Sequence, residues 1–303
     1  MPPSPRSDAS AAAAARAAPI PDGVLLVDKP AGPSSHGIVA AIRRAVGKGT
    51  KVGHAGTLDP FASGLMLVLI GRGTRASQFL LGLDKRYETL AQLGALSTTG
   101  DPEGEITVTG RIPASPLRLP VGEVRQTPPA YSAIKIDGER AYKRARRGEQ
   151  VEVPERTITV HEFTELERDE ASDRVRLALH CSSGTYVRSL VADLDDGYCL
   201  ELRRTGIGPF TIDDAQPLDA FDSVASVTDA IVPLDRALGF LTTIRLGPDL
   251  ADDARCGRRM PADAMPGGVP PQDEPLLLVD EAGVIAVGRS DGARVATVVG
   301  FRA

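Results

Sequence analysis

The chain has no tryptophan and only 4% aromatic residues among its 303, so its interior must be filled by aliphatic side chains. Its three cysteines, Cys181, Cys199 and Cys256, are odd in number and form no C-x-x-C pair, which argues against a disulfide framework and a cysteine zinc site. The four histidines offer no pair at ligand spacing, so no metal is expected. No apolar run approaches the roughly 20 residues of a membrane-spanning helix. Residues 1–21 are dominated by alanine, proline, serine and arginine with no apolar core, and they read as a disordered tail rather than a signal peptide. Unpaired thiols without a leader point to the cytoplasm. A phosphate-binding G-x-x-x-x-G-K-[ST] loop is also missing, since Gly47-Lys48-Gly49-Thr50 matches only its tail.

What is present suffices for a sizeable core: 42% of the residues are hydrophobic. The net charge of −5 conceals a split, +6 over residues 1–160 and −11 over residues 161–303. Such an asymmetry suits one basic binding face on an otherwise acidic body. The densest basic stretch holds Lys135, Arg140, Lys143, Arg144, Arg146 and Arg147. A charge run of this kind is either a solvated helix face or a phosphate-contacting surface.

Residues 53–64, Gly-His-Ala-Gly-Thr-Leu-Asp-Pro-Phe-Ala-Ser-Gly, combine three glycines, a histidine and one carboxylate without helical or strand period. The apolar run 65–70 that follows reads as fully buried. A lone Asp-Pro is ordinarily a surface turn. A polar glycine loop that leads straight into buried structure instead holds its Asp59 against a rigid support, as catalytic groups often are.

Around it, the patterning predicts a strand over 23–28 and a helix from Ser34 or Ser35 to Val46 with Ile38, Val39 and Ile42 on one face. A short helix is expected over 76–83, strands over 87–96, 106–108, 131–136 and 158–166, and a basic helix before the last of these. Prolines between 111 and 129 predict a loop. Val175, Leu177, Leu179 and Cys181 alternate inward along a further strand, and a helix follows with Val187, Leu190, Val191 and Leu194 buried. Strands mixed with helices outside any βαβ repeat predict an α+β fold, a largely antiparallel mixed sheet with flanking helices. Short strands over 276–279, 284–287 and 295–299 predict a small β-rich C-terminal domain. The expected division is a tail over 1–21, a main domain over 22–240 and the small domain over 241–303.

Polar groups gather at element boundaries: Asp59 in the glycine loop, Tyr87 at a strand start, Tyr186 and Arg188 after Ser182-Ser183-Gly184. Singly, each has a bland explanation in half-buried packing or a local ion pair. Ser132-Ala133-Ile134-Lys135 matches S-x-x-K, but the S-D-N and K-T-G elements that accompany a serine nucleophile are missing.

Taken together, the motifs resemble the bacterial tRNA pseudouridine synthase B (TruB) family. Gly-His-Ala-Gly-Thr-Leu-Asp-Pro (53–60) is similar to the family's catalytic motif. Four further stretches agree in order: Gly-Val-Leu-Leu-Val-Asp-Lys-Pro (23–30), Asp-Lys-Arg-Tyr (84–87), Pro-Pro-Ala-Tyr-Ser-Ala-Ile-Lys (128–135) and Cys-Ser-Ser-Gly-Thr-Tyr-Val-Arg (181–188). Leu-Arg-Arg-Thr-Gly (202–206) extends the match, which spans roughly residues 23–215. The resemblance implies isomerisation of the T-loop uridine of tRNA (position 55) to pseudouridine, by a monomer without metal or organic cofactor. It implies Asp59 as nucleophile, Arg188 as its partner, and Tyr87 stacked on the base with a part in proton transfer. Tyr186 and Leu202 would line the uridine pocket, and His54 would contact the RNA beside the flipped nucleotide. The 135–147 segment would contact phosphates, and residues 245–303 would form a PUA-like domain. Segments 111–122 and 195–201 are shorter than is usual in the family. A catalytically silent RNA-binding or RNA-folding protein on the same scaffold is the alternative.

Overall fold

The computed structural model describes residues 19–129, 135, 136, 138–141, 144, 147, 149 and 153–302. Strand β1 (Gly23–Lys29) leads to helix α1 (Ser35–Val46), where the Ser34 hydroxyl accepts a hydrogen bond from the Gly37 N–H and caps the helix. Next come β2 (Val52–Ala55) and β3 (Ser63–Ile70), so strand structure extends into the first residues of the glycine segment, where no period was visible. A 3₁₀ turn (Gly71–Ala76) and helix α2 (Ser77–Leu81) stand where one short helix was expected. They are followed by β4 (Lys85–Leu93) and a small ribbon of β5 (Ala95–Ser97) and β6 (Ile106–Val108).

The expected loop over 111–129 contains a strand, β7 (Gly122–Gln126). Its proline-free stretch pairs antiparallel with residues 156–160, Val124 opposite Ile158. Of the expected basic helix and the strand before it, most positions lie outside the described residues. The described part shows β8 (Lys135–Ile136) paired with β9 (Glu139–Arg140). A long hairpin of β10 (Arg156–Asp169) and β11 (Arg174–Cys181), helix α3 (Val187–Ala192) and β12 (Gly197–Ile207) complete the site-bearing part.

These strands form one mixed sheet in the order β1-β3-β12-β4-β11-β10-β7, antiparallel except where β3 meets β12 and where Gln216–Pro217 lies along β1. The fold is therefore α+β. Aliphatic side chains of α1 pack on β1 and β3, among them Ile38, Ile42, Val27 and Val68. A second core joins α3 to β4, β10 and β11 and reaches Leu58 and Ala62 of the glycine loop. From Thr242 onward five strands build a separate sheet, yet Leu277, Val287 and Phe301 share a core with Val24 and Leu67 of the large one. Residues 1–18 of the expected tail lie outside the described residues, whereas Ile20 packs against the α1 core.

The two shortened segments meet. Residues 197–201 belong to β12, Asp195 and Asp196 make the turn at positive φ, and Arg111 pairs with Asp196.

Candidate active site

Three buried side chains hold the loop between β2 and β3 in place. The Ser35 hydroxyl, at the start of α1, donates to the Leu58 carbonyl and accepts from the Leu58 N–H, both at 2.9 Å. Lys29, at the end of β1, donates to the carbonyls of Pro30, Pro33 and Pro60 at 2.8, 2.9 and 3.2 Å, which uses all three ammonium protons. Arg204, on β12, donates from Nε to the Leu65 carbonyl at 2.7 Å and from its terminal nitrogens to Thr57 and Gly56 at 3.3 Å. The segment carrying Asp59 is thus a rigid shelf tied to β1, α1 and β12.

Asp59 presents its carboxylate to Arg188 in the first turn of α3, Nη2 to Oδ2 at 2.8 Å. Arg188 is fully enclosed, and its other terminal nitrogen meets Asp101 at 3.3 Å and the Thr99 carbonyl at 2.5 Å. Gly100 turns at φ +74° beneath it, where an added Cβ would sit 3.1 Å from the Arg188 Cβ. One guanidinium therefore spans two carboxylates, and the one facing the cavity is Asp59. Lys29 and Arg204 add positive charge behind the loop. Burial pulls Lys29 down to about 8 against the attraction of Asp59, and burial with the Arg204 charge brings Lys85 to about 8 as well.

Tyr87 points from β4 toward the same place. Burial raises its phenol pKa despite the facing Arg204, so it is neutral. Tyr186 is fixed through its backbone: its N–H donates to Gln126 Oε1 at 2.8 Å, and Gln126 Nε2 donates to its carbonyl at 2.9 Å. The Arg156 guanidinium stacks 4.9 Å from the centre of the Tyr186 ring.

Asp59, Tyr87, Tyr186, Arg188 and Leu202, dispersed over more than 140 residues of chain, line one cavity of about 310 Å³. That is the small end of the ~300–1,000 Å³ of ligand pockets. Thr57, Lys85, Arg156 and Arg204 share its walls. His54 does not line it. It sits on β2 opposite Val68 with its ring edge-on to His36 at 5.6 Å. In the basic segment, Arg147 pairs with Glu139 and Glu149, and Arg144 with Glu149, so an anion there must compete with these carboxylates. Lys135 and Arg140 are opposite each other in the β8–β9 ribbon, while Lys143, Arg146 and Ser132 lie outside the described residues.

Lys29, Ser35, Lys85, Asp101, Gln126, Arg156 and Arg204 also build the site, and no local pattern marks them as functional.

Residues 43–187 match the profile described as TruB family pseudouridylate synthase (N terminal domain). A tRNA pseudouridine synthase B of Synechococcus sp. (strain WH7803) is 39% identical over 292 residues, 90% of this chain and 94% of the relative. The chain belongs to the TruB family. Another tRNA pseudouridine synthase B, from Leifsonia xyli subsp. xyli (strain CTCB07), is 37% identical across 94% of this chain and 98% of its own. In fold, the TruB-family chain is similar to a solved H/ACA ribonucleoprotein bound to a substrate RNA containing 2′-deoxyuridine. The TM-score is 0.70 at 22% identity, over 93% of this chain and 85% of that one. The protein is thus a pseudouridine synthase, an isomerase that acts on RNA. No helix among the described residues is long and apolar enough to cross a membrane.

Proposed function

We propose that this enzyme isomerises the T-loop uridine of tRNA, position 55, to pseudouridine, with Asp59 as nucleophile. The observation that carries the reading is the Asp59–Arg188 pair at the wall of a uridine-sized cavity flanked by Tyr87 and Tyr186. A uridine inside a folded loop must be extruded, at a cost of a few kcal/mol, to reach such a cavity. Stacking on the two tyrosines offsets part of that cost. The isomerisation breaks the bond from N1 to the ribose C1′ and forms one from C5 to C1′. The proton lost from C5 is balanced by one gained at N1. A carboxylate nucleophile divides this into two easier steps, and the Arg188 guanidinium, 2.8 Å away, faces the Asp59 carboxylate with the opposite charge. Tyr87, held as a neutral phenol, serves as a stacking wall, and Leu202 closes the apolar side. His54, two residues before the Gly56 turn, faces RNA outside the pocket.

The decisive experiment incubates unmodified tRNA with the purified protein and maps pseudouridine at single-nucleotide resolution. Modification confined to position 55 is the expected result. Modification elsewhere, with position 55 untouched, would overturn the substrate assignment.

Phosphate recognition is assigned here to Arg156 ahead of the 135–147 segment. Its Nε and Nη2 are buried without a hydrogen-bond partner, beside the cavity, and buried donors in native proteins are rarely left so. A phosphate or ribose oxygen of the extruded nucleotide would satisfy them. Arg156→Ala is expected to raise KM roughly tenfold with a smaller change in kcat. It should also flatten the slope of log affinity against log salt by about one. Arg156→Lys should restore the slope but not the stack on Tyr186. An unchanged KM and slope in Arg156→Ala would remove Arg156 from the interface.

The two lowered lysines predict a pH effect. Protonated at neutral pH, Lys29 and Lys85 lose their charge as pH rises through about 8. The cavity then attracts the phosphate chain less. kcat/KM, which reports the free enzyme, should therefore fall above about pH 8. A profile still rising from pH 8 to 10 would contradict this.

A further inference from the structure

The β10–β11 hairpin has an extra residue on one side. Val160 faces Cys181 and Glu162 faces His180, which leaves His161 in a bulge. A bulge re-aims a side chain, and here the His161 ring comes to rest 4.7 Å from that of His180, centroid to centroid. Both imidazoles turn Nε2 toward one oxygen of Asp84, His161 at 3.1 Å and His180 at 4.0 Å. Asp84 lies in the turn between α2 and β4, so three separate segments converge with their donor atoms within 4.8 Å of one another. The absence of ligand spacing in the sequence conceals this, because positions 161 and 180 become neighbours only through strand pairing.

We propose that Asp84, His161 and His180 form a binding site for a divalent transition-metal ion of the zinc class, with water in the remaining positions. Two imidazoles and a carboxylate are the donor set such ions prefer. Ligands at roughly 2.1 Å from a tetrahedral metal stand roughly 3.4 Å apart. The widest separation, up to 4.8 Å, must therefore shrink by as much as about 1.4 Å, which the solvent-facing side chains permit: their exposures are 38%, 26% and 43% for His161, His180 and Asp84. Charge also favours a dication, since Asp84 and Glu162 outnumber Arg86, the cation across from His180. This site is independent of the isomerase reading, and none of its three ligands lines the cavity, although Asp84 adjoins Lys85, which does.

The test uses the full-length, untagged chain carrying Cys256→Ser, because Cys256 is an exposed thiol. Co²⁺ is titrated with visible absorption as the readout, and Zn²⁺ by calorimetry. One equivalent should bind saturably, and saturating Zn²⁺ should raise the melting temperature. His161→Ala and Asp84→Asn should each weaken binding at least ~10-fold and abolish the thermal shift. His161 is exposed, so its replacement leaves the fold intact. No binding at millimolar Co²⁺, or binding of equal strength in His161→Ala, would overturn the proposal.

Discussion

Replacing Asp59 by asparagine is expected to lower kcat for pseudouridine formation by roughly 10⁴-fold or more while tRNA affinity stays within about tenfold of the parent. The substitution removes the nucleophile and little else. Asparagine keeps an oxygen for Arg188 to donate to, and Arg188 retains Asp101 and the Thr99 carbonyl. No buried charge is left unpaired, so the large destabilisation that follows from breaking a buried ion pair does not arise. Tritium release from C5-labelled uridine in a T-stem-loop, under single-turnover conditions, measures the first quantity, and filter binding measures the second. Activity within tenfold of the parent would end the nucleophile assignment. Lost activity with lost binding would instead place Asp59 in recognition. A silent RNA-binding protein would show no activity in the parent chain either.

The placement of Arg188 between two carboxylates bears on reactivity more than on stability. An arginine is expensive to enclose, and a hydrophobic side chain of similar volume would commonly fold as well. What the guanidinium supplies is orientation. With one terminal nitrogen committed to Asp101 and Thr99, the other can meet Asp59 only along one direction, and the remaining carboxylate surface is left toward the cavity. The loop beneath is equally constrained through Ser35, Lys29 and Arg204, so the nucleophile is positioned before substrate arrives.

Elements with a single clean period were legible from sequence. The buried run of β3, the alternation of β11 and the apolar face of α1 each report one environment along their length. Strand β7 was hidden because its five residues are bracketed by prolines and expose alternate positions, a pattern shared with loops. Its loss from the reading also hid Gln126, whose side chain holds the Tyr186 backbone. Adjacent arginines such as Arg203-Arg204 are ordinarily both solvated. In β12 the two point to opposite faces, Arg203 outward to Asp28 and Arg204 into the core, where backbone carbonyls take the place of water. Lys29 was similarly concealed, because a lysine at a strand end is ordinarily exposed and here three carbonyls meet it. Burial of a fully partnered cation depends on acceptors from distant segments, and local sequence does not contain them.

The same limit applied to the glycines of residues 53–64, and there it leads to the second large effect. Glycines in a polar loop commonly give a ligand close access to the backbone. At Gly64 the close neighbour is instead protein. An added Cβ would lie 2.3 Å from the Arg204 carbonyl oxygen and 2.7 Å from its backbone nitrogen, at φ +107°. Gly64 stands opposite Arg204 where β3 and β12 run parallel, the junction between the two halves of the large sheet. Gly64→Ala is accordingly expected to cost about 2–6 kcal/mol, the ~1–3 kcal/mol of overpacking added to the ~1–3 kcal/mol of backbone strain, out of the ~5–15 kcal/mol available to a domain. Gly32→Ala separates the two causes. Gly32 has nearly the same φ, +106°, with no atom within 4 Å of the added Cβ, so it should lose only the ~1–3 kcal/mol of backbone strain. The comparison is read from urea midpoints at constant m-value. Any Gly64→Ala protein that folds should also lose isomerase activity, since a shift of β12 displaces Arg204 and with it the Gly56 and Thr57 carbonyls that support Asp59. Equal destabilisation of the two variants would show that backbone conformation alone demands glycine at position 64. A larger loss at Gly64 would show that this glycine seats the catalytic loop on Arg204, and that the catalytic motif is a packing motif as well.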